Sequence, residues 1–135
     1  MARFTFCAIL LVLAAGCGTA ARTEPVATLE GTVTISGKPL PADAEGTVVF
    51  MPAARGEAPP SQAKIVAGHY KAEKAPKGQI AATFQISRLT GKMLKTSPDD
   101  IHPTPERINL VPEASRSGIK FEVQGDNAHQ DFELK

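Results

Sequence analysis

Few side chains in this sequence have a type and spacing suited to chemistry, and the two strongest candidates lie far apart. The first is Cys17, a thiol directly after Ala14-Ala15-Gly16; the other cysteine, Cys7, sits inside an apolar run. The second is Asp99-Asp100 beside His102, the one local grouping of acids with a histidine. Carboxylate oxygens suit a hard cation, but a calcium loop repeats its ligands in a D-x-D-x-D-G pattern that this stretch does not follow. After Pro98 the acidic pair reads instead as a turn or the cap of a short helix. His69, His102 and His129 fall in separate segments with no i, i+2 or i, i+4 pair. Zinc needs three or four converging ligands, so solvated surface histidines are expected. Ser61, Ser87, Ser97, Ser115 and Ser117 lie in no G-x-S-x-G elbow. No glycine-rich phosphate loop passes from a strand into a helix. The expected sets of catalytic, cofactor-binding and metal-binding residues are therefore empty, no cofactor is expected, and the protein is read as not an enzyme.

The context of Cys17 gives that thiol a role. Arg3 precedes an apolar run over residues 4–13, and small residues lead to Cys17. A stable membrane-spanning helix needs about twenty apolar residues. This shorter run, basic at its start and small at its end, reads as a secretory signal peptide over residues 1–16. Leu13-Ala14-Ala15-Gly16-Cys17 resembles the lipobox of bacterial lipoproteins, although Ala14 stands where the family usually has Leu. The resemblance implies that Cys17 is lipidated and begins the mature chain. Cleavage near Ala20 or Ala21, leaving a soluble chain, is the competing reading. Cutting before Cys17 removes Cys7 and leaves no disulfide partner, and lipidation would account for a lone thiol on an exported protein.

The whole chain has 135 residues and a formal charge of +1, which falls to zero once Arg3 leaves with the signal. One domain fits that length. The balance excludes a nucleic-acid binder working by bulk electrostatics and a polybasic second membrane signal. Residues 17–27 form a lipidated cysteine and short polar tether, and residues 28–135 are expected to fold.

The folded part alternates with period two. Leu29, Gly31, Val33 and Ile35 share one face; so do Val48 and Phe50, Ile80 to Ile86 in steps of two, Phe121 and Val123, and Phe132 and Leu134. Shorter pieces at residues 63–66 and 70–73 flank a turn at Ala67-Gly68. Seven short strands without an amphipathic helix imply an all-β, seven-stranded antiparallel β-sandwich. The expected inward set is Leu29, Val33, Ile35, Val48, Phe50, Ile65, Tyr70, Ile80, Phe84, Ile86, Phe121, Val123, Phe132 and Leu134. Residues 88–107, with charges of both signs and several prolines, show no period. They are expected to be a long irregular loop, with a short helical turn at Met93-Leu94.

Gly31-Thr32-Val33-Thr34-Ile35-Ser36-Gly37-Lys38-Pro39-Leu40 resembles the opening of carboxypeptidase regulatory-like domains, found in small lipoproteins of the planctomycete type. Val48-Val49-Phe50-Met51-Pro52, Gly68-His69-Tyr70, Ala75-Pro76-Lys77-Gly78, Leu110-Val111-Pro112-Glu113, Gly118-Ile119-Lys120-Phe121-Glu122-Val123 and Asp131-Phe132-Glu133-Leu134 continue the match in order. The chain departs at Ala114-Ser115, where the family has a basic residue and tyrosine, and at Ala67, where it has Asp. The resemblance implies an Ig-like or transthyretin-like sandwich. The transthyretin-like hydroxyisourate hydrolases end in a Tyr-Arg-Gly-Ser signature, whereas this chain ends Phe132-Glu133-Leu134-Lys135.

The expected function is that of a non-enzymatic lipoprotein of the bacterial cell envelope, a module for adhesion, scaffolding or protein–protein contact. Its N-terminal acyl chains would hold it on a membrane. Gly18, which is not the Asp of inner-membrane retention, favours the outer membrane over the inner, with the domain facing the periplasm or exterior. An envelope protein or polysaccharide is the expected partner class, and nucleic acid is not. Residues 52–60 and 88–107 are the first contact surfaces. The alternative is a carbohydrate- or small-ligand-binding module of the same fold, which would need exposed rings. Beyond residue 17 there are one Tyr and four Phe, all placed inward by the alternation.

Overall fold

The computed structural model of the protein describes residues 25–54, 58–99 and 101–135. The expected signal peptide over residues 1–16, the lipidation site Cys17, most of the tether and Asp100 lie outside the described residues. The chain forms β1 (Val26–Ile35), β2 (Lys38–Pro39), β3 (Ala44–Pro52), β4 (Ser61–Val66), β5 (His69–Pro76), β6 (Gly78–Leu94), β7 (Thr104–Asn109), β8 (Ile119–Val123) and β9 (Phe132–Leu134). A single 3-10 turn, Glu113–Ser115, is the one helical piece among the described residues. The all-β expectation holds. Seven strands join in the order β2-β1-β5-β4-β3-β6-β7, every step antiparallel, in a sheet that curls into a half-barrel.

The last two strands run along the outer edges of this sheet. β8 pairs antiparallel with the first part of β6, from Gly78↔Val123 to Ala82↔Ile119. The chain then crosses to the far edge, where β9 runs parallel to β1 from Val33↔Phe132 to Ile35↔Leu134. Residues 124–131 thus form a strap from one edge to the other, fastened where Glu30 N donates to Asn127 O at 2.8 Å and Gln130 N donates to Glu30 O at 2.9 Å. Gly31 interrupts the apolar alternation of β1 for this reason. A Cβ at Gly31 would lie 2.1 Å from the Gln130 carbonyl oxygen, so only glycine admits the strap.

The period-two pattern fills the curl because alternate side chains of every strand point to one face. Twelve of the fourteen expected inward residues are buried, and the other two, Ile35 and Phe121, are partly buried and pack against them. Phe132 is the hub. Its ring centroid lies 5.2 Å from both Phe84 and Phe121, 5.9 Å from Tyr70 and 6.4 Å from Phe50. Two tight turns serve this packing. Ser36 and Gly37 (φ 50° and 74°) link Ile35 to Lys38, and Ala67 and Gly68 (φ 49° and 81°) link Val66 to His69. Two consecutive positive φ values give the turn whose twist suits a two-residue hairpin.

Three expectations need correction. The stretch 88–107 is not an irregular loop: β6 continues to Leu94 and β7 begins at Thr104, together making a two-stranded ribbon. Met93 and Leu94 belong to that ribbon and form no helical turn. Strand β1 starts at Val26 with Ala27 buried, so the tether expected to reach residue 27 ends by Pro25. The ribbon escaped notice because its apolar residues change sides. Ile80, Ala82, Phe84 and Ile86 face the core, whereas Leu89 and Met93 fall at odd positions, on the opposite face.

Candidate functional site

Two surface regions gather the side chains able to meet another molecule. The first is the ribbon. The last pairing of β6 with β3 is Ala44↔Arg88. Six further residues carry β6 about 20 Å past the sheet, at the usual rise of a strand. They pair with β7 alone, through Leu89↔Arg107, Met93↔Pro105 and Leu94↔Thr104. A bulge between Leu89 and Met93 absorbs the extra residues of β6. Gly91, at φ 79°, allows it, and the Thr90 hydroxyl closes it by donating to the Glu106 carboxylate. Arg107 reaches back to Glu45 at 3.4 Å, tying the base of the ribbon to β3.

The ribbon is apolar where a solvated strand would be polar. Of eight large apolar residues exposed among the described residues, five belong to it: Leu89, Met93, Leu94, Ile101 and Ile108. Its direction is set by topology. Residue Val26 pairs with Pro76, Lys77 N donates to Pro25 O at 3.0 Å, and Ile80 pairs with Pro52, so the chain enters at the end where β6 begins. The ribbon leaves from the opposite end.

The second region is an open groove of about 590 Å³ on the outer face of β1, β4 and β5, walled by the strap. It brings together Glu30, Lys64, His69, Lys71, His129 and Asp131. Asp131 Oδ1 accepts from Thr32 N at 2.7 Å and from Thr32 Oγ1 at 2.8 Å. Those two bonds, the amide first, hold the Asp131 carboxyl below the usual carboxylate range, and His129 and His69 reinforce the effect. Lys71 Nζ lies 2.7 Å from Glu30 Oε1, and that hydrogen bond raises the ammonium. Beneath the groove the Tyr70 hydroxyl donates to Gln130 O at 2.6 Å; burial, then the nearby Asp131 charge, pushes the phenol upward.

The remaining sequence candidates scatter. His102 is exposed near the ribbon tip with Asp99, and Asp100 lies outside the described residues. His69 and His129, which lie in separate segments of the sequence, share the groove; the strap joins them across a separation that local spacing does not reveal. Among the described residues no three His, Cys, Asp or Glu side chains converge as metal ligands would. In the stretch 52–60, residues 55–57 lie outside the described residues, while Pro59 and Pro60 line a second open groove with Val26 and Lys74. Sequence reasoning also missed Ser115. Its hydroxyl donates to Lys135 O at 3.0 Å and accepts from Lys135 N at 2.9 Å, locking the end of the chain. No helix of the described residues is long and apolar enough to cross a membrane.

No family model, curated protein or solved structure matches this chain.

Proposed function

We propose that the protein is a non-enzymatic lipoprotein of the bacterial envelope, held on the outer membrane by acyl chains on Cys17, and that its domain is a contact module. The observation carrying this reading is the polarity of the domain. The chain enters at Pro25, and an apolar ribbon projects from the opposite end. A tether of at most nine residues, residues 17–25, spans no more than about 32 Å when fully extended. It would keep the entry end near the lipid and point the ribbon outward.

The finer fold, a seven-stranded sandwich of the Ig-like or transthyretin-like class related to carboxypeptidase regulatory-like domains, belongs to the same proposal. In its favour, the strap and β9 give the curled sheet a second wall, and Gly31, Gly37 and Gly68 serve the close approach and turns. The carbohydrate-binding alternative is the weaker one. Phe50, Tyr70, Phe84, Phe121 and Phe132 form one internal ring cluster and offer no stacking platform to a sugar.

The test is metabolic labelling with a radioactive or alkyne-bearing fatty acid, beside membrane fractionation of the full chain and its Cys17→Ala variant. Label and membrane partition in the native chain, both lost in the variant, are the expected result. An unlabelled native chain recovered in the soluble fraction would overturn the anchor.

A further inference from the structure

We propose that β8 is a self-pairing edge, adding antiparallel to β8 of a second copy of this chain and joining the two sheets about a two-fold axis at Phe121. The contact needs no lipid on Cys17. A strand with one neighbour presents a row of backbone N–H and C=O groups to its open side, and proteins guard such edges with shortness, proline or bulges. Among the described residues β2, β7, β8 and β9 each pair with a single strand. β2 has two residues and β9 three, and β7 carries Pro105, which has no N–H. β8 has five residues, no proline and an unbroken register against β6 from Gly78↔Val123 to Ala82↔Ile119. It has none of these three guards.

The side chains of β8 select the occupant. Ile119, Phe121 and Val123 share the core face, where Ile119 and Phe121 remain partly exposed. Lys120 and Glu122 are exposed on the other face, and neither forms an ion pair among the described residues. Their neighbours on β6 are the uncharged Ala81 and Gln79, so no other charge competes on that strand. Directly opposed residues of adjacent strands share a face, and a slip of one residue turns every side chain over.

Few antiparallel registers therefore keep the two core faces together. Centred on Lys120, the pairing opposes two ammonium groups; centred on Glu122, it opposes two carboxylates. Centred on Phe121, it uses all five residues. Lys120 of each copy then faces Glu122 of the other, Ile119 faces Val123, and the two half-covered Phe121 side chains meet. The contact is two-fold symmetric, so the Lys120–Glu122 pair is made twice. Parallel pairing in register would align like charges.

The test uses the full chain in intact cells. Two differently tagged versions, one Lys120→Cys and the other Glu122→Cys, are co-expressed and treated with a mild oxidant. The chain with neither substitution, treated alongside, sets the background from its native cysteines. Directly opposed Cβ atoms lie about 5 Å apart, close enough for oxidation to join the thiols, whereas diagonal neighbours lie about 7–8 Å apart. The expected product is a disulfide-linked pair carrying both tags, in several-fold excess over either version joined to itself. At the second symmetric position Glu122 of the first version still faces Lys120 of the second. Lys120→Glu added to the second version should lower the yield several-fold, and Glu122→Lys added to the first should restore it. No product above background, equal yields of mixed and like pairs, or a yield indifferent to charge reversal would overturn the proposal.

Discussion

The two ends of β6 share one strand and little else. From Ile80 to Ile86 the strand is covered by β3 on one edge, and its even-numbered side chains Ile80, Ala82, Phe84 and Ile86 are buried in the core that also holds Phe50 and Phe132. From Leu89 to Leu94 it has β7 as its sole neighbour, a bulge where the register shifts, and exposed apolar side chains. The first half is explained by the fold's own needs. The second does nothing visible for the core, so its apolar character calls for an explanation outside the domain. The difference separates residues that make the protein stable from those able to make it useful.

Substitutions can break this comparison in graded steps. Phe132→Ala should have the largest effect, removing the ring that touches four others and costing about 3–5 kcal/mol in unfolding free energy. Small domains are stable by roughly 5–15 kcal/mol, so chemical denaturation should find this variant near its limit. Gly31→Ala should follow. Its Cβ would collide with the Gln130 carbonyl and lift the strap, an overpacking cost of about 1–3 kcal/mol. Amide exchange at Glu30 and Gln130 should rise with it.

Asp131→Asn probes a gentler fastening. Because Thr32 holds the folded-state value of Asp131 below the unfolded one, ionised Asp131 contributes stability above the unfolded value, and that stability is lost as pH falls through the folded value. The acid limb of a stability–pH profile measured from neutral pH downward should therefore be shallower in Asp131→Asn. An unchanged limb would mean that the strap does not depend on this charge.

Much of the core was legible because large apolar residues at alternate positions admit few arrangements. What escaped was small, distant or outside the core. Ala27, Ala44, Ala63, Ala72, Ala75 and Ala82 are buried, yet alanine carries little hydrophobic signal by itself. Leu40 and Val111 are buried outside any strand, where no period marks them. The groove was illegible because His69 and Asp131 meet only once the strap pairs with β1, a contact between the two ends of the folded chain. Thr32 and Asp131, 99 positions apart, carry no local sign of their hydrogen bond. The ribbon was hidden by its change of apolar face at Leu89, which leaves its large apolar residues exposed.

The most direct test of the central claim removes the ribbon. Residues 89–107 are replaced by Asn-Gly, joining Arg88 to Ile108 through a two-residue turn that accepts positive φ. Thermal and denaturant unfolding of this variant are compared with the native chain. Among the described residues the ribbon's one ion pair to the sheet, Arg107 with Glu45, is exposed and worth at most about 1 kcal/mol. The account predicts an unfolding free energy within about 1 kcal/mol of native. A variant that unfolds, or whose unfolding free energy drops well beyond that margin, would contradict it.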